Sequence, residues 1–237
     1  MSELSGRGES EAPRMGVARR AMARRMLDAG AVPVFYLRRS ADITDLVAAR
    51  AALRAASDGP VPSLNDFIIR AVALALREHP NVNSSWEQEA VLQHSRVNVG
   101  VAVAVEGGLV VPALYDADRK SVTEISARVR ELAELSRARR LSRELLADST
   151  FTISNLGMFG IEEFDPLINP PQSAILGVGA GVAGADGRTR LRLTMGCDHR
   201  VLTGAEGAPF LGTVAELLER PQALTADPSP LTAQVPA

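Results

Sequence analysis

One cysteine, one lysine, three histidines and 4% aromatic residues are a thin supply for a chain of 237 residues. Cys197 stands alone, so no internal disulfide is possible. With only His79, His94 and His199 beside it, it cannot build a cysteine-rich zinc site, and no metal is expected. Lys120 is the only lysine; every other basic residue is arginine. Schiff-base chemistry, a phosphate-loop lysine or a covalently held lipoyl or biotin group would all have to use Lys120. Long apolar runs are missing too, and none approaches the ~18–20 residues of a membrane span. The opening MSELSGRGESEAP lacks the apolar stretch of a secretion signal. A net charge of −2 leaves no bulk attraction for nucleic acid or an anionic membrane. These absences predict a soluble, cytoplasmic globular protein with neither nucleic acid nor membrane as partner.

With 46% hydrophobic residues the chain has ample material for one core. Residues 1–13 read as a loose N-terminal tail and 223–237 as a loose, proline-bearing C-terminal tail, leaving 14–222 as one domain. Helical periodicity marks 63–80, where Ser63 is a candidate N-cap and Pro80 a stop. A second helix starts at Ser121, which has capping-box spacing to Glu124. A third covers 208–218, and 19–27 is a short first one. Strands read at 34–38, 97–105, 109–114, 150–154, 174–178 and 190–196, with Gly107-Gly108 joining two of them as a hairpin. Helices and strands mix without strict alternation. That predicts an α/β two-layer sandwich with a mixed β-sheet rather than a doubly wound parallel fold.

Few residues can carry chemistry. His79 precedes Pro80 at a helix end and His94 lies in a polar stretch; both read as structural. His199 follows an alternating strand directly and opens DHRVLTG at the end of the sheet, where scaffolds place functional groups. Cys197 reads as small apolar filling. Gly179, Gly181 and Gly184 have GxGxxG spacing, but no helix follows, and GVGAGVAGADG reads as a loop between two strands. No GxxxxGK[ST] stretch occurs, and Ser154 sits outside a GxSxG elbow.

DHRVLTGAEGAPFL resembles the DHRxxDG signature of the dihydrolipoamide acyltransferase catalytic domain, whose fold is that of chloramphenicol acetyltransferase. ARRAMARRM, SLNDFIIRAVALALREHPNVNSSW, GGLVVPAL and TFTISNLGMFGIEEFDPLINPPQSAILGVG are similar to the same family in the same order, covering residues 14–222. The resemblance implies a chloramphenicol acetyltransferase-like homotrimer with its site between subunits. It places the general base on His199, the oxyanion-stabilising hydroxyl on Ser154, and a coenzyme A thioester as co-substrate. The family's Asp or Asn four residues after the histidine is here Thr203, which keeps a hydroxyl but no charge. No lipoyl module is expected ahead of the domain, and Lys120 in DADRKS does not look like a lipoylation site.

Those departures lead to the expectation of a free-standing acetyl-CoA-dependent O-acetyltransferase with a small-molecule or carrier-bound acceptor. By analogy with stand-alone relatives, it would act in antibiotic biosynthesis, acetylating a tetronate hydroxyl before elimination. The alternative is the acyltransferase core of a 2-oxoacid dehydrogenase complex with its lipoyl domain on another chain. A non-catalytic assembly core is disfavoured because His199 and Ser154 are both present. QALTADPSPLTAQVPA makes a poor hydrophobic plug, so trimers are not expected to stack into a cage.

Overall fold

The computed structural model describes residues 15–226 apart from Gly107. The expected tail 1–13 lies outside the described residues, as does most of 223–237. In chain order come helix α1 (Val17–Gly30), strand β1 (Val34–Asp42), helices α2 (Thr44–Ala55) and α3 (Leu64–Glu78), and a hairpin of β2 (Ser84–Glu87) and β3 (Ala90–Gln93). Four short strands follow: β4 (Val99–Val101), β5 (Val103–Val105), β6 (Gly108–Val110) and β7 (Ala113–Leu114). Helices α4 (Val122–Arg137) and α5 (Arg143–Ala147) lead to β8 (Phe151–Asn155), β9 (Ala174–Ala183) and β10 (Thr189–Asp198). Helices α6 (Gly204–Glu219) and α7 (Pro221–Thr225) close the described chain.

Six strands make one sheet in the order β1-β10-β9-β8-β4-β7. Strand β8 runs parallel to β4 and β9 and the remaining pairs are antiparallel, so the sheet is mixed. Alternation decides its buried face. Phe151 and Ile153 of β8 and Leu191, Leu193, Met195 and Cys197 of β10 share one core with Phe67 and Ile68 of α3 and Phe210 and Val214 of α6. The fold is the expected α/β sandwich. Leu224, on α7, is also buried in this core.

The helix starts are chemically determined. The Ser63 hydroxyl accepts the Asp66 N–H at 3.3 Å, and the Asp66 carboxylate accepts the Ser63 N–H at 2.7 Å. Ser121 and Glu124 repeat this reciprocal arrangement at 3.3 and 2.8 Å. Each such cap contributes about 1 kcal/mol.

Two expectations need correcting. The strand at 97–105 is divided: β4 belongs to the main sheet, while β5 pairs with β6 in a separate ribbon. Pro112 divides the opposing arm likewise, because it brings no N–H to a ladder. GVGAGVAGADG is mostly strand, not loop; only 184–188 connects β9 to β10. Its small residues answer a steric demand from the chain crossing the sheet's outer face. A Cβ on Gly179 would lie 1.8 Å from the Glu162 carbonyl oxygen, and one on Gly177 would lie 3.0 Å from Pro166.

Candidate active site

Strand β10 delivers the DHR turn. Asp198, its last residue, is buried and pairs with Val34 of β1. The Asp198 carbonyl accepts the N–H groups of Val201 and Leu202 at 3.0 and 2.9 Å, which reverses the chain. Its carboxylate takes a two-pronged bond from Arg200: Nε to Oδ1 at 3.0 Å and Nη2 to Oδ2 at 2.6 Å. The guanidinium lies over the Trp86 ring, 5.2 Å from its centroid. A buried carboxylate is costly alone; this planar partner offsets the cost and fixes the turn.

Between these ion-pair partners stands His199. Its N–H donates to the Pro33 carbonyl at 2.9 Å, tying the turn to the start of β1. Its ring packs against Phe35, centroids 4.5 Å apart and planes tilted by 48°. The residue is exposed in the single chain, and among the described residues neither ring nitrogen has a hydrogen-bond partner.

Ser154 is half-buried near the end of β8. Phe151 and Ile153 point into the helical core, so Ser154 points to the opposite face of the sheet. His199 lies one residue beyond β10, and its ring packs on Phe35, which is level with Cys197 of the helical face. Ser154 is level with Gly177, which is level with Thr194, and His199 lies five positions beyond Thr194. At ~3.3 Å per residue and ~4.8 Å per strand, the two residues are roughly 19 Å apart within one chain. One copy does not bring them together.

Thr203 sits at the N-cap of α6. Its N–H and its hydroxyl both donate to Glu206 Oε2, at 2.9 and 2.8 Å. Those two bonds, backbone first, hold the Glu206 carboxyl below its ordinary range. The Thr203 hydroxyl proton is thus committed to a helix cap. Thr203→Ala should lower stability by about 1 kcal/mol in denaturant titration. The cap's share is present above the ordinary carboxylate pKa and is lost as pH falls through the lowered one.

Cys197 is fully buried, and burial pushes its thiol pKa up to about 12. A thiol this far from ionising is no nucleophile at neutral pH. Iodoacetamide should leave the native protein unlabelled at Cys197 at pH 7.5 and label it only in denaturant; rapid native labelling would contradict this. His79 reaches Thr213 Oγ1 at 2.9 Å through Nε2 and meets the Phe210 ring edge-on, a structural role. Burial lowers the pKa of His94. Among the described residues no cluster of three or more His, Cys, Asp or Glu side chains could hold a metal, and no helix is long and apolar enough to cross a membrane.

The sequence profile of the 2-oxoacid dehydrogenases acyltransferase (catalytic domain) matches residues 7–226. The chain belongs to the 2-oxoacid dehydrogenase acyltransferase family. It is 40% identical, over 86% of its length, to the dihydrolipoyllysine-residue acetyltransferase component of the pyruvate dehydrogenase complex of Rickettsia felis. Among solved structures it is similar to the dihydrolipoamide acetyltransferase of Azotobacter vinelandii. The TM-score is 0.89 and the identity 32%, over 95% of this chain and 98% of that one. That structure was studied for the catalytic roles of a serine, a histidine and an asparagine, the last two four residues apart. Chloramphenicol acetyltransferase matches with a TM-score of 0.56 at 13% identity, over 82% of this chain and 94% of that one; this likeness shows the fold alone.

Membership corrects the expected function. The reading as an O-acetyltransferase of antibiotic biosynthesis is overturned by a relative that is 40% identical over the 214 aligned residues and is named for acetyl transfer at dihydrolipoyllysine. That reading leaned on the expectation that no lipoyl module precedes the domain, yet the chain spans about half the length (52%) of the curated acyltransferase it matches.

The resemblance directs attention to His199, Ser154 and Thr203 but not to Asp198 and Arg200, which fix the histidine's turn, or to Phe35, which packs against its ring. The first two are legible as the flanks of the DHR triplet. Phe35 has no local signal, since it meets His199 only through the register of β1 on β10.

Proposed function

We propose that this chain is the catalytic core of a dihydrolipoamide acyltransferase, exchanging acetyl between coenzyme A and the dihydrolipoyl group of a lipoyl domain. One observation carries the catalytic arrangement: His199 and Ser154 stand on opposite faces of one sheet, too far apart to act on one carbonyl within a chain. A second copy must supply the missing half. A closed ring of three, in which each copy lends His199 to one neighbour and Ser154 to the other, satisfies every site alike.

The chemistry follows from the two side chains. The His199 imidazole takes the proton of the attacking thiol as sulfur adds to the thioester carbonyl. The Ser154 hydroxyl donates to the oxyanion that forms. Collapse breaks the old carbon–sulfur bond, and the leaving sulfur takes the proton back from the imidazolium. The acyl group passes directly between the two sulfurs, and the buried Cys197 has no part in it.

Transfer from one thiol to another leaves the number of free thiols unchanged, so the assay must identify the product. Purified protein given acetyl-CoA and dihydrolipoamide should form S-acetyldihydrolipoamide, detected by mass spectrometry, with matching release of coenzyme A. An oligomeric, folded preparation that forms none would contradict the proposal.

A further inference from the structure

We propose that Phe35 is the positioning residue that orients the His199 imidazole for proton transfer. The inference rests on the reading of His199 as general base. A catalytic histidine is usually held by a hydrogen bond from its second ring nitrogen to a carboxylate, amide or carbonyl group. Here Thr203 occupies the place of an Asp or Asn, and its hydroxyl proton goes to Glu206. No other described residue of the chain bonds a ring nitrogen. The backbone of His199 is fixed by Pro33 and by the Asp198–Arg200 pair, but these leave the side-chain torsions free.

What remains is the ring of Phe35, its centroid 4.5 Å from the imidazole centroid and its plane tilted by 48° to it. Phe35 is suited to this by its own anchorage. It pairs with Cys197 in the β1–β10 register and is partly buried against the core while its ring also meets His199. An aromatic face limits ring rotation by packing, and a branched aliphatic chain of similar apolarity presents no such plane. A base displaced by about an ångström costs on the order of 10²-fold in rate.

The test is a double-mutant cycle on the oligomeric protein, with acetyl-CoA and dihydrolipoamide as substrates. Phe35→Leu should lower kcat by about 10–100-fold with KM for both substrates within about twofold of wild type. Phe35→Tyr, which keeps the plane, should restore most of kcat. In a His199→Ala background, Phe35→Leu should cause no further loss, since there is no imidazole to orient. An equal loss in both backgrounds, or near-normal kcat for Phe35→Leu, would overturn the proposal. High activity of His199→Ala alone would instead remove the general base itself, a separate failure that the same cycle reveals.

Discussion

His199→Ala should lower kcat by about 10²–10⁴-fold, the range for loss of a general base. The residue is replaceable without unfolding the turn, because the fixing bonds belong to its neighbours. Asp198 and Arg200 keep their bidentate pair, and the bond from residue 199 to Pro33 uses the backbone N–H. Circular dichroism and oligomer mass should therefore match wild type while turnover collapses. KM for acetyl-CoA should change little, since the base acts on the proton of the attacking thiol rather than on the bound thioester. A variant that retained more than about half of its activity would remove His199 from the mechanism.

Ser154→Ala should lower kcat by about 10²–10³-fold, and the separation of kcat from KM is the informative part. The hydroxyl forms its strong bond only when the carbonyl oxygen becomes an oxyanion, so ground-state affinity should be nearly unchanged. Structural damage should be small. Ser154 is half-buried on the face of β8 opposite the helical core, its partners in the ladder are backbone groups, and alanine fits the same strand position. Proportional changes in KM and kcat would instead make Ser154 a binding group for the thioester.

Local chemistry made much of the fold legible. The Ser63 and Ser121 caps start helices where the sequence places them, and Leu191, Leu193 and Met195 are buried as their alternation requires. Helix α2 escaped notice because it buries Leu46 alone and has no side-chain cap bond. The β2–β3 hairpin escaped because its turn is Gln88-Glu89, both at positive φ, without the glycine or asparagine that usually marks such turns. Helix α6 begins four residues earlier than its apolar period suggests, since Gly204 to Gly207 carry little periodicity and the cap at Thr203 sets the start. The glycines of β9 were unreadable for a different reason. The chain that crowds them, around Glu162 and Pro166, approaches only in three dimensions.

The site divides in the same way. His199 and Ser154 are legible through the resemblance of whole motifs. Their placement on opposite faces of one sheet follows from strand alternation and register, which span residues 34 to 198, and from the packing of the His199 ring on Phe35. The nature of the acceptor was misjudged because small-molecule and lipoyl-domain acceptors leave no distinguishing motif among these residues. The family relationship, at 40% identity to a dihydrolipoyllysine-residue acetyltransferase, corrects that reading.

The central claim is that each active site takes its base from one copy and its oxyanion donor from another. It is tested most directly by mixing the two inactive variants. His199→Ala and Ser154→Ala proteins, dissociated together and reassembled, should regain part of the wild-type rate through interfaces that unite an intact His199 with an intact Ser154. Each variant taken alone through the same treatment should remain inactive. Subunit exchange is verified by native mass spectrometry of mixed oligomers. Mixed oligomers with no recovered activity would show that each chain builds its own site, contradicting the account.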